Sequence, residues 1–150
     1  MGNVTSVMTG NPACCTAETP LRDVARLMIE NDCGEIPVVD GQGMPVGVVT
    51  DRDITVRIVA EGRDTMNATA SDAMSSPAQT VREDSSLKDA TALMESSKIR
   101  RVPVVDANGK LTGIVSVADI ALAGKDNQTA QVVKASKVIT VTSSDASVVR

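Results

Sequence analysis

The 150-residue sequence contains no phenylalanine, tyrosine, tryptophan or histidine. Without aromatic rings it cannot stack on bases or build an aromatic cage, and without histidine it lacks the commonest general acid/base and a common zinc ligand. Cysteine is scarce too: Cys14, Cys15 and Cys33 form an odd set with no CxxC pair, as packing thiols in a reducing compartment do. A redox contact between the 14/15 pair and Cys33 stays open. No apolar run approaches the roughly 18 residues that cross a bilayer, and residues 1–12 have neither a basic start nor a signal-like apolar stretch. A cytoplasmic protein with no membrane partner is expected. The net charge of −4 disfavours nucleic acid, whose affinity depends on clustered Lys and Arg displacing counterions.

What is present is ordinary globular material: 42% hydrophobic and 23% charged residues, enough to exclude disordered and fibrous classes. A chain of this length suits one domain, or two small halves that share a core. The seven methionines, Met28 and Met94 among them, read as core filler rather than metal ligands.

The main signal is an internal repeat. Residues 36–54, IPVVDGQGMPVGVVTDRDI, align without a gap on residues 102–120, VPVVDANGKLTGIVSVADI. The offset is 66 residues, as between Pro37 and Pro103, Gly47 and Gly113, or Asp53 and Asp119. Further back Met8 matches Met74, Leu21 matches Leu87 and Asp23 matches Asp89. The chain divides into a first copy at 1–61, a linker at 62–72, a second copy at 73–124 and an extension at 125–150.

Each copy predicts strand, helix, strand, strand, helix. The first strand lies near Cys14-Cys15 or Thr80-Val81. Thr19-Pro20 opens the first helix with a capping hydroxyl and an early proline, and Ser85 supplies the hydroxyl at the matching position of the second copy. Leu21, Val24, Ala25 and Met28, repeated as Leu87, Ala90, Thr91 and Met94, give each helix one apolar face. Two β-branched runs then flank DGQG or DANG, which are turn sequences joining antiparallel strands. A last helix starts at Thr50 or Ser116, directing Ile54 and Ile58, or Ile120 and Leu122, to the core. The fold class is α/β (α+β), two such units packed about a pseudo-twofold axis.

The order of elements, the PVVD strands, and GVVTDRDI with GIVSVADI resemble the paired cystathionine-β-synthase (CBS) motifs of the Bateman module, over residues 4–124. A stand-alone bacterial-type CBS pair is the nearest description. The resemblance implies a regulatory module, not an enzyme, that binds AMP, ADP or ATP, with S-adenosylmethionine as the alternative. It needs no cofactor. Because the second motif ends within thirty residues of the last residue, the regulated protein is expected to be a separate chain. A homodimer forming a disc of four motifs is also implied, with Ile54, Ile58 and Ile120 as interface candidates.

Thr50-x-x-Asp53 and Ser116-x-x-Asp119 stand where a strand turns into a helix. Such a pair is explained by a capping box alone, yet the same helix start can receive an anion. In the family the hydroxyl lies near the first phosphate and the carboxylate takes both ribose hydroxyls. Similar modules build each cleft from both copies. Thr50 and Asp53 would join Ser85, Ala90, Ile99, Arg100, Arg101 and Pro103 in a basic cleft. Ser116 and Asp119 would join Thr19, Val24, Cys33, Gly34, Glu35 and Pro37 in a second, acidic one. On this division the basic cleft takes nucleotide first, because arginines hold phosphate and a carboxylate repels it.

No nucleophile, base and stabiliser coincide with a P-loop or metal cluster, so catalysis is not expected. A ligand-free structural or dimerisation module and a thiol-based redox sensor are the alternatives. In the extension, residues 129–135 read as a short helix and 137–142 as a strand.

Overall fold

Two aspartate-led turns fix the hairpins of both copies. Asp40 accepts the amides of Gln42 and Met44 on one carboxylate oxygen, at 2.9 and 3.0 Å. Asp106 takes those of Asn108 and Lys110 at 2.8 and 3.0 Å. Gly43 and Gly109 close the two turns at φ 81° and 83°, a left-handed conformation open to glycine without strain. The structure is a computed structural model and describes residues 2–123.

After a 3₁₀ turn at Val4–Ser6 come β1 (Thr9–Gly10), α1 (Leu21–Glu30), β2 (Glu35–Val39) and β3 (Pro45–Thr50). Next is α2 (Asp51–Asp53), which runs on as a π-helical segment over Ile54–Val59, and α3 (Ala70–Ala73). The second copy supplies β4 (Val81–Arg82), α4 (Leu87–Ser97), β5 (Arg101–Val105), β6 (Leu111–Ser116) and α5 (Val117–Ala123). The second copy has the expected order of elements, and its first strand is paired in parallel with β5. In the first copy that strand shrinks to one parallel bridge, Cys15 to Val38.

The copies exchange their leading segments. β1, at the start of the first copy, pairs antiparallel with β6 of the second, Thr9 opposite Ile114. Ser75, which precedes β4, bridges antiparallel to Val48 of β3. The four-stranded order β1-β6-β5-β4 is thus echoed by Ser75, β3, β2 and Cys15. Two glycines admit these crossing segments: a Cβ on Gly47 would stand 2.7 Å from the Ser75 carbonyl oxygen, and one on Gly113 3.0 Å from that of Thr9. The same repeat offset relates Thr9 to Ser75 and Gly47 to Gly113.

Each copy has its own core. Leu21, Val24, Ile36, Val38, Val49 and Ile58 fill the first. Leu87, Ala90, Met94, Val102, Val115 and Ile120 fill the second, together with Val4 from the far end of the chain. Each large aliphatic side chain so buried contributes about 1.5–3 kcal/mol. The stripe of α4 is buried throughout, and Thr91 satisfies its hydroxyl by donating to the Leu87 carbonyl at 2.8 Å.

Several local expectations need correction. Thr19 does not cap α1: its hydroxyl accepts the Thr16 amide, and Pro20 holds the cap position with no side-chain bond. Ser86, not Ser85, caps α4, taking the Asp89 amide at 3.0 Å. Leu122 is 82% exposed rather than in the core. Ile58 and Ile120 are fully buried and so cannot form a dimer face; Ile54 is partly buried against the first core. The segment 62–72 packs on the first copy: Ala68 and Ala70, with Ala73 just after them, enter the first core, and the Ala70 amide donates to the Thr19 carbonyl at 2.8 Å. The helix and strand expected at 129–135 and 137–142 lie outside the described residues.

Candidate functional site

Both strand-to-helix junctions close as reciprocal capping boxes. The Asp53 amide donates to Thr50 Oγ1 and the Thr50 amide to Asp53 Oδ2, each at 3.0 Å. The Asp119 amide donates to Ser116 Oγ at 3.0 Å and the Ser116 amide to Asp119 Oδ2 at 2.9 Å. These bonds orient the two carboxylates and satisfy amides that the helix leaves over.

Beyond the box the carboxylates differ. The Ser75 hydroxyl donates to both oxygens of Asp53 at 3.2 and 3.4 Å, and Arg57 Nε lies 3.9 Å from it. Arg57 also donates to the Met74 carbonyl at 2.6 Å, pinning the segment that carries Ser75. Asp119 accepts, among the described residues, only from Ser116.

The strand register distributes the charges. Glu35 opens β2 directly opposite Thr50, and Arg101 opens β5 directly opposite Ser116. Side chains facing one another across a ladder share a face of the sheet. Arg101, expected beside Asp53, therefore stands next to the capping serine of the second copy.

A cavity opens between the copies. Arg101 and Ile114 of the second copy face Cys33, Glu35 and Pro37 of the first across it, and residues 9–13 close its side through Thr9, Asn11, Pro12 and Ala13. Of the expected site residues it gathers Cys33, Glu35, Pro37 and Arg101. Val24 and Ala90 are fully buried in their cores, out of reach of a ligand, and Ile99 packs on the second core. Thr19 is engaged with Thr16 and the start of α3, the Ser85 carbonyl accepts the Val4 amide, and Pro103 is buried opposite Ile114. Gly34 lies against Asp51, where a Cβ would meet Oδ2 at 2.9 Å; the Arg100 carbonyl accepts the Val117 amide at 2.9 Å. Sequence reasoning missed residues 9–13, because a wall lent by the opposite copy leaves no mark in either repeat. Asn11-Pro12 was the one local sign of a turn there.

Glu35 is the unusual group. Its Oε2 is buried without a hydrogen-bond partner among the described residues. Burial pushes the carboxyl up to about 7; nearby Arg101 pulls the other way, and Asp53 adds to the rise. All three thiols are free, Cys15 being pushed up to about 11 by burial and by Cys14. No group of three or more Cys, Asp or Glu side chains able to hold a metal gathers among the described residues. No helix among them is long and apolar enough to cross a membrane.

The family model for the CBS domain matches the chain twice, at residues 4–60 and 70–126. The chain belongs to the CBS-domain family, as a pair. The CBS domain-containing protein YhcV of Bacillus subtilis is 38% identical over 130 residues, which cover 87% of this chain and 91% of YhcV. An uncharacterized protein of Methanopyrus kandleri is 40% identical over 76% of this chain, which spans only 56% of that relative. Among solved structures, Hypoxic Response Protein I with two coordinated zinc ions superposes with a TM-score of 0.76 at 31% identity, over 82% of this chain and 99% of that one. CBSX2 in complex with AMP gives 0.72 at 32% identity, over 82% and 96%. The CBS pair of MJ0100, bound to 5′-methylthioadenosine and S-adenosylmethionine, gives 0.73 at 25% identity, over 82% and 95%.

Proposed function

We propose that this CBS pair is a regulatory, non-catalytic module that binds an adenosyl ligand between its copies and passes the bound state to a separate partner protein. The observation that carries this is the half-site on the second copy: Asp119, held by its capping box and otherwise uncommitted among the described residues, and Ser116, whose ladder partner Arg101 lines the cavity. A carboxylate accepting two ribose hydroxyls, an adjacent guanidinium and a serine-capped helix start match sugar and phosphate. AMP, ADP and ATP fit this set, with S-adenosylmethionine as the alternative. Relatives of the same fold carry AMP or 5′-methylthioadenosine and S-adenosylmethionine, which supports the ligand class.

The same geometry supports Asp119 rather than Asp53 as the principal ribose anchor. Asp53 already holds Ser75 and sits by Glu35, so a phosphate there meets two carboxylates. Thr50 and Asp53 form the weaker half-site. Thermal shift and calorimetry with AMP, ATP and S-adenosylmethionine test the reading. A ligand at a hundred times its dissociation constant adds about 2.7 kcal/mol to native stability. Asp119→Ala is expected to abolish that gain; no response of the unaltered protein to any of the three ends the proposal.

A homodimer is part of the proposal. Val56 and Leu122, equivalent in the two copies, are 46% and 82% exposed on the final helices, and Val59 lies beside Val56 at 58%.

A further inference from the structure

The cavity holds a carboxyl group with an oxygen that no hydrogen bond among the described residues satisfies. Glu35 lines it from the first copy, its Oε2 is shielded from solvent, and no donor among the described residues reaches that oxygen. A buried acceptor left this way costs about 1–3 kcal/mol, a penalty that a ligand donor can relieve. Arg101 lines the same cavity from the second copy, yet the two do not close into an ion pair within 4.0 Å among the described residues. Asp53 adds negative potential on the Glu35 side, and burial holds the carboxyl up near 7. One wall therefore offers a cation beside Ser116 and the facing wall a carboxyl.

The consequence rests on the adenosyl reading above. With a ribose at Asp119 and its first phosphate at Ser116 and Arg101, a longer 5′ chain would have the cavity that Arg101 shares with Glu35 to enter. We propose that Glu35 determines specificity by ligand charge: it admits a 5′ group with one phosphate, or one bearing a hydrogen-bond donor or positive charge, and turns polyphosphates away. A second or third phosphate brings its charge to a shielded carboxylate with a second carboxylate nearby. A donor or cation there gives Oε2 its missing partner.

Calorimetry at pH 8, where Glu35 is charged, tests this with AMP, ATP and S-adenosylmethionine on the full chain and on Glu35→Gln. The unaltered protein is expected to bind AMP at least tenfold more tightly than ATP. Glu35→Gln keeps the shape and removes the charge, and is expected to narrow that ratio to threefold or less and to weaken S-adenosylmethionine. An AMP to ATP ratio unchanged by Glu35→Gln, or a preference for ATP in the unaltered protein, overturns the inference while leaving the ligand class standing. Failure of all three compounds to bind either protein overturns the ligand class, and the inference with it.

Discussion

The Ser75 hydroxyl donates to the Asp53 carboxylate at 3.2 Å across the junction between the two copies. Asp53 is thereby a strut as well as a cap: it holds the Thr50 amide and Ser75 and lies 3.9 Å from Arg57, whereas Asp119 holds the Ser116 amide. Duplicated residues have acquired unequal duties.

Stability should follow that inequality. Asp119→Ala removes one capping carboxylate, a loss of about 1 kcal/mol. Asp53→Ala also strips Ser75 of its acceptor, and about 2–3 kcal/mol is expected in all. Urea unfolding of the ligand-free variants measures both. Equal losses would show that the Ser75 contact contributes nothing. Affinity is expected to run in the opposite order, Asp119→Ala losing more than Asp53→Ala.

The strand glycines make a second prediction. Gly47→Ala drives a methyl to 2.7 Å from the Ser75 carbonyl oxygen, inside the distance that carbon and oxygen tolerate, and that oxygen is fixed by the Val48 amide at 3.0 Å. Gly113→Ala meets the Thr9 carbonyl at 3.0 Å and the flexible Met8 side chain. Both are expected to lower stability by about 1–3 kcal/mol, with Gly47 the worse because its nearest obstacle is backbone. Gly41→Ala, whose methyl would find nothing within 4 Å, is the neutral control for thermal melts.

Glu35 predicts the slope of stability against pH. Its native carboxyl is raised from 4.5 to about 7 by burial and by Asp53, against the pull of Arg101. Between those values the native state binds more protons than the unfolded chain, so this group makes stability fall as pH rises. Asp72 acts oppositely: the Thr69 amide and Arg63 hold it low, so its contribution disappears as pH falls through its native value, below that window. Melts of Glu35→Gln are expected to lose the decline between pH 4.5 and 7. Parallel profiles for the two proteins would show that Glu35 titrates as it does in water.

What could be read beforehand was whatever a repeat encodes within itself. The PVVD strands, the aspartate turns and the Thr50 and Ser116 boxes are local, with partners close in sequence or across one hairpin. The exchange of Thr9 and Ser75 between sheets was not legible, because pairing at a distance leaves no periodic trace. The neighbours of Arg101 were hidden in the same way: its equivalence with Glu35 was visible, but which residue each stands opposite depends on β-ladder register. Val24 and Ala90 show a further limit, since an apolar stripe does not say which members reach a cleft and which are sealed in the core.

The exposed helix positions carry the last prediction. Ile58 and Ile120 are sealed, so a subunit contact on the final helices falls to Val56, Val59 and Leu122. Val56 and Leu122 match under the repeat, so two copies meeting face to face bury four equivalent side chains around a twofold axis, with Val59 at the margin. Each exposed aliphatic removed from water contributes about 1.5–3 kcal/mol at most, so charge at both equivalent positions is expected to suffice to separate the subunits. Val56→Asp with Leu122→Asp should sediment as a monomer with an unchanged melting profile at low concentration, while Ile29→Asp, on α1 and 79% exposed, should sediment as the unaltered protein does. A double variant that sediments like the unaltered protein would place the contact elsewhere.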